Sequence, residues 1–211
     1  MILEEQRFLP PLKEWVSALS IRMKKLTNLR SSQKQDQLEK AFNAGISFFL
    51  EYARTHFLET HYQSLLKEFD DITFSKGEWR MPKELINIIY RVAKQALKDQ
   101  QLAPARDLFY LLSVITPEHF DVWVGLGLAY QELEQDQNAI SAFEEAKKQM
   151  PNSLLPYLYS AESYFHLHDW KNGFKNCEEG AAFAASQQKI FQKRVQELKK
   201  QCAQKLQENT R

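Results

Sequence analysis

Apolar residues from Ile89 onward keep one rhythm. Ile89, Val92, Ala93 and Ala96 are followed by Ala105, Phe109, Leu112 and Pro117. Steps of three and four residues are the period of one face of a helix. The same order returns as Trp123, Leu126, Gly127, Tyr130, Ala139, Phe143, Ala146 and Pro151. It returns again as Tyr157, Ser160, Ala161, Tyr164, Gly173, Cys177, Gly180 and Ala185. Between the two helical stretches of each copy stand polar groups, Asp99-Gln100, Glu134-Gln135-Asp136 and His168-Asp169, which predict turns.

The copies follow one another without a gap at the 34-residue spacing of the tetratricopeptide repeat (TPR), a helix–turn–helix unit. They run over about 86–119, 120–153 and 154–187. Small residues such as Gly127 and Ala139, or Ala161 and Gly173, let paired helices approach, and large ones fill the space between neighbours. Past Ala185, the set Phe191, Val195, Leu198, Cys202 and Leu206 predicts one more amphipathic helix. Repeat arrays need such a polar-backed cap.

Ahead of the repeats, Leu12, Trp15, Val16, Leu19, Met23 and Leu26 predict a helix that starts after Pro10 and Pro11. The polar run Ser31–Asp36 reads as a linker. A second helical stretch is expected from Gln37 to Phe69. Its stripe is Leu38, Phe42, Gly45, Phe49, Ala53 and Phe57, thickened by Ile46, Phe48, Leu50 and Tyr52 and continued by Leu58, Tyr62, Leu65, Leu66 and Phe69. So wide a stripe implies burial on more than one side. It either docks on the repeats or meets another chain, as in a homodimer, and Phe42, Phe49 and Phe57 are the interface candidates. The sequence changes character between Asp70 and Met81, and Pro82 suits a helix start. The expected organisation is an all-α chain: an N-terminal helical region over 1–81, three TPR hairpins over 82–185 and a capping helix over 186–211.

Composition narrows the function classes. Six glycines in 211 residues agree with a helical chain. A net charge of +1 lacks the basic excess of a nucleic-acid binder. No run approaches the roughly 18 apolar residues of a membrane helix, and the start, MILEEQRFLPPLKEW, lacks the pattern of a secretory signal. Stable membrane association is not expected. Cys177 and Cys202, without CxxC spacing, suit a reducing cytosol rather than a disulfide or zinc framework. The five histidines form no metal constellation, and Gly125-Leu126-Gly127 lacks the third glycine and the strand of a dinucleotide motif. There is no nucleophile elbow, carboxylate pair or phosphate loop. Neither an enzyme nor a cofactor is expected.

Binding is what remains. In a TPR stack the first helix of each hairpin lines the concave face through the second, fifth, ninth and twelfth positions of the repeat. These are Asn87, Tyr90, Lys94 and Leu97 in the first copy, and Asp121, Val124, Leu128 and Gln131 in the second. The third copy supplies Leu155, Leu158, Glu162 and Phe165. Tyr90, Leu97, Val124, Leu128, Leu158 and Phe165 lie off the packing signature, and an apolar strip outside the core set marks a binding surface. Lys94 is the single cation where chaperone-tail receptors of this repeat class hold a carboxylate clamp (Tyr90, Lys94, Gly125, Leu155 and Tyr159 here). An extended peptide with apolar anchors therefore fits better than an acidic tail.

The segments IIYRVAKQAL, ARDLFYLLSVITPEHFDVWVGLGLAYQ and YSAESYFHL resemble the class II chaperones of bacterial type III secretion, the SycD/LcrH family. Phe109, Leu112, Gly125, Leu126 and Gly127 stand in register with that family, as do Ser160, Ala161, Glu162 and Ser163. The resemblance implies a cytosolic bacterial chaperone without ATPase activity. It would hold an extended apolar segment of a translocator or effector polypeptide in the groove and keep it soluble before export. The family's groove aromatics map onto Tyr90, matched, and onto Lys94 and Leu97, where this chain departs. About 80 residues precede the repeats here, where the family has a short segment. An adaptor that bridges two folded partners is the alternative.

Overall fold

Apolar side chains at three- and four-residue steps wind into helices wherever the described chain carries them. The computed structural model describes residues 32–57, 64–65, 73–75, 78–183 and 189–208. The helix expected over Leu12–Leu26, and Leu58, Tyr62, Leu66, Phe69 and Ala185, lie outside them. Helix α1 spans Ser32–His56. A two-stranded antiparallel ribbon follows, β1 Thr73–Ser75 with β2 Glu78–Arg80, with Phe74 opposite Trp79. Helices α2 (Lys83–Lys98) and α3 (Leu102–Ile115) form the first hairpin, and α4 (Phe120–Glu132) and α5 (Asp136–Gln149) the second. Helices α6 (Leu154–His166) and α7 (Trp170–Ala181) form the third, and α8 (Lys189–Glu208) follows. The architecture is all-helical and TPR-like apart from the short ribbon. The chain divides into two compact units, Met1–Ile115 and Thr116–Arg211.

Three local expectations change. The run Ser32–Asp36, expected as part of a linker, is the start of α1, because Gln and Lys are good helix formers even without apolar periodicity. The second helical stretch, expected from Gln37 to Phe69, is interrupted: α1 ends at His56, Phe57 lies in a bend, and residues 64–65 are again helical. The change of character after Asp70 is a ribbon, where Thr, Phe and Trp favour extended backbone.

In the first unit, α1 lies along α3 and touches α2 lightly. Phe42 and Phe49, the interface candidates, are buried inside this unit with Ile46, Leu50 and Ala53, while Phe57 is half-buried. Gly45 brings the two backbones together: a methyl group there would stand 3.2 Å from the Asp107 carbonyl carbon and from a Leu108 methyl. The face of α3 so covered includes buried Asp107 and Leu108, with Leu111 one turn on. At the same repeat positions α5 carries Ser141, Ala142 and Glu145, and α7 carries Lys175, Asn176 and Glu179. Leu108 and Leu111 are apolar because α3 is packed on two sides. Burial pushes the Asp107 carboxyl above its usual range, opposed by Arg106, whose Nε and Nη2 donate to it at 2.9 and 2.8 Å.

In the second unit each helix packs on its neighbours in series, α4 on α5, α5 on α6, α6 on α7, and α8 on both α7 and α6. Gly127 lies against the Phe143 ring, where an added methyl would collide. Two ties recur one repeat apart: Trp123 Nε1 donates to the Pro117 carbonyl at 2.7 Å, and the Tyr157 hydroxyl to the Pro151 carbonyl at 3.1 Å. The core of the third hairpin is Leu154, Leu158, Ala161 and Cys177, closed by Val195, Leu198 and Cys202 of α8. Phe191, Val195 and Leu198 stand one 34-residue repeat beyond Tyr157, Ala161 and Tyr164. Helix α8 thus holds the register of the first helix of a further hairpin.

The turns within the hairpins share one geometry. Gln100, Glu134 and His168 have φ of 59, 58 and 59°. The amide of the following residue reaches back to the fifth residue before it, Gln101 to Ala96, Gln135 to Tyr130 and Asp169 to Tyr164, each at 2.9 Å. With the three-residue-span bonds from Gln100 to Leu97, Glu134 to Gln131 and His168 to Phe165, this is the Schellman ending, without its usual glycine.

Candidate functional site

The residues expected to line a groove sort into three states. In the first unit, Asn87 and Lys94 are exposed on α2, and Tyr90 and Leu97 are half-buried. The Tyr90 ring meets Phe109 edge-on at 6.1 Å, and Lys94 Nζ lies 5.4 Å from the Tyr90 ring centre. This corner presents an aromatic face with a cation beside it.

In the second unit, Leu128, Leu155 and Phe165 are half-buried and Asp121 is exposed. Gln131 is committed within the fold: its Nε2 donates to the Tyr159 carbonyl at 3.3 Å and to Ser163 Oγ at 3.0 Å, tying α4 to α6. Leu158 is a correction, because it is fully buried in the core under α8 and presents nothing to a ligand. Val124 is also buried, at 9% exposure. At the fifth position of the repeat, then, Val124 and Leu158 are buried while Tyr90 is half-buried.

Glu162 is buried and ion-paired to Arg194 of α8. Burial raises its carboxyl above the usual range, and the Arg194 guanidinium pulls the other way. Beside this pair opens a pocket of about 370 Å³, within the second unit. Gln131, Glu132 and Glu134 come from the end of α4 and its turn, Phe165 and His166 from α6, and Arg194 and Leu198 from α8. His166 Nδ1 also lies 3.1 Å from Asp136 Oδ1. Trp170 packs against Phe165 at 4.8 Å and 67°, bracing that wall. Sequence reasoning missed Glu132, Glu134, His166, Arg194 and Leu198. The signal was present, since carrying the 34-residue step from Tyr164 reaches Leu198 and places α8 beside α6.

Both thiols are buried in the third-hairpin core. Burial pushes the Cys177 thiol up to about 12, which keeps it protonated and inert. Among the described residues, no helix is long and apolar enough to cross a membrane.

Neither a protein-family model nor a curated protein matches the chain. Solved structures do. PcrH of Pseudomonas aeruginosa, in complex with the chaperone binding region of PopD, is similar at a TM-score of 0.57 and 16% identity, over 58% of this chain and 94% of that one. The Yersinia enterocolitica type III secretion chaperone SycD, with a peptide of the translocator YopD, gives 0.56 and 16%, over 58% and 95%. The Sgt2 TPR domain from Aspergillus fumigatus gives 0.54 and 16%, over 59% and 81%. At these identities the likeness shows the fold.

Proposed function

We propose that this chain is a cytosolic binding chaperone of the type III secretion kind. It holds an extended apolar segment of an exported translocator on the inner helices of its repeats and keeps that segment soluble until export. The observation that carries this is the set of half-buried apolar side chains Leu128, Leu155 and Phe165, on a fold shared with PcrH, solved with the chaperone binding region of PopD, and SycD, solved with a peptide of the translocator YopD. Tyr90 and Leu97 on α2 give the first unit a similar surface.

Binding requires no bond chemistry. Each Å² of apolar surface withdrawn from water contributes about 25 cal/mol before ordering costs, and ordering a disordered client consumes much of that. Release to an export machinery then needs no fuel. The test is co-expression with a membrane-active translocator. The client should stay soluble and co-purify with the natural chain, and fail to do so with Leu128→Asp combined with Tyr90→Ala. Unchanged co-purification would reject the strip. A repeat fold with exposed helix faces also suits a second reading, an adaptor that bridges two folded partners. Retention of folded partners only, with no effect on client solubility, would favour it.

A further inference from the structure

We infer that the pocket between α4, α6 and α8 is a receptor for a lysine or arginine side chain of the bound polypeptide, so that the client carries a cation next to its apolar anchors. The inference rests on the proposed function for its biological partner, while the pocket's chemistry is independent of it. Three carboxylates, Glu132, Glu134 and Glu162, face one guanidinium, Arg194. Arg194 is already committed to Glu162. Among the described residues no cationic side chain pairs with Glu132 or Glu134, so the lining carries uncompensated negative charge. Lys147 and Lys148 of α5 pair with Glu144 and Glu145 instead, and His166 is turned to Asp136.

The second observation is the aromatic wall. Phe165 lines the cavity, held by Trp170 against its ring, and Leu198 lies with it. An aromatic face attracts a cation, and an apolar surface accepts the methylene stem of a long basic side chain. A volume of about 370 Å³ falls within the usual range of ligand pockets, roughly 300–1,000 Å³. An acidic side chain would meet the uncompensated carboxylates, and an aliphatic one would leave them unpaired. The guest that satisfies both halves of the lining is a cation on a long apolar stem.

The test uses the full chain and acetyl-Leu-Arg-Leu-amide as probe, followed by NMR shift changes, the Trp170 indole resonance among them. The matching peptide with citrulline, of equal shape but uncharged, is the control. Saturable binding of the arginine peptide is expected, weakened about fivefold or more by citrulline and by Glu132→Gln with Glu134→Gln, on the scale of a lost charge-assisted contact. Both glutamates are exposed, so the double variant should keep its fold. Equal binding of the citrulline peptide, insensitivity to the double variant, or no saturation would overturn the inference. Client capture in co-expression is a separate readout. If it fails while the arginine peptide saturates, the chaperone role falls and the pocket stands; the reverse outcome removes only the pocket.

Discussion

Gln100, Glu134 and His168 each hold a left-handed backbone that costs a side-chain-bearing residue about 1–2 kcal/mol. Replacing any of them by glycine relieves that strain but adds freedom to the unfolded chain. The net expected gain is about 0.5–1 kcal/mol each, read by urea unfolding. Loss of stability in all three variants would mean that the side chains hold the turns by contacts of their own. Glu162 gives a pH signature with a definite sign. Its folded carboxyl titrates above its unfolded value, so its contribution is fully present at low pH and is lost as pH rises from about 4.5 through the folded value. Glu162→Gln should flatten that part of the stability curve, and an unchanged slope would locate the effect elsewhere. Cys177, with its thiol at about 12, should resist thiol reagents at pH 8 until the chain unfolds.

At the scale of elements, close contacts decide. Gly127→Ala would drive a methyl into the Phe143 ring and should cost about 1–3 kcal/mol, because a packed helix pair yields only by shifting. Phe49→Ala, at a fully buried position of α1, should cost about 3–5 kcal/mol in the first unit, checked by denaturant unfolding. The hairpins were legible because the small and large positions recur at one fixed spacing, and each position has one packing duty. The boundaries of α1 were less so, since a polar start such as Ser32–Asp36 looks like a linker when judged by apolar rhythm alone. Leu158 was misassigned for a different reason. Its role depends on α8, a helix whose register continues the repeats, and a pattern read within one repeat does not reveal what the next helix covers. For the acidic pocket the 34-residue step places α8 beside α6, but not the charge balance, which depends on Arg194 being committed to Glu162.

For the whole molecule, the two units are built differently. The first buries the broad stripe of α1 against α3, so the surplus of phenylalanine ahead of the repeats is consumed internally at Phe42 and Phe49. The second presents half-buried Leu128, Leu155 and Phe165 beside a charged cavity. Leu155→Asp should weaken client retention in pull-downs while leaving the unfolding midpoint within the range of a surface change, about 0.5 kcal/mol. A large loss of stability would instead make Leu155 a core residue.

Helix α8 has a further consequence. It is half a repeat, a first helix whose inner face is spent on the third hairpin and whose outer face shows Lys193, Gln196, Glu197, Lys200, Gln201 and Gln204 to water. A stack of identical layers grows like a one-dimensional crystal unless its last layer offers nothing to the next. The polar outer face of α8 offers a further layer no apolar surface of that kind. Exchanging those six polar residues for the apolar pattern of an inner helix is expected to let copies of the chain stack end to end, visible by light scattering as mass that rises with concentration.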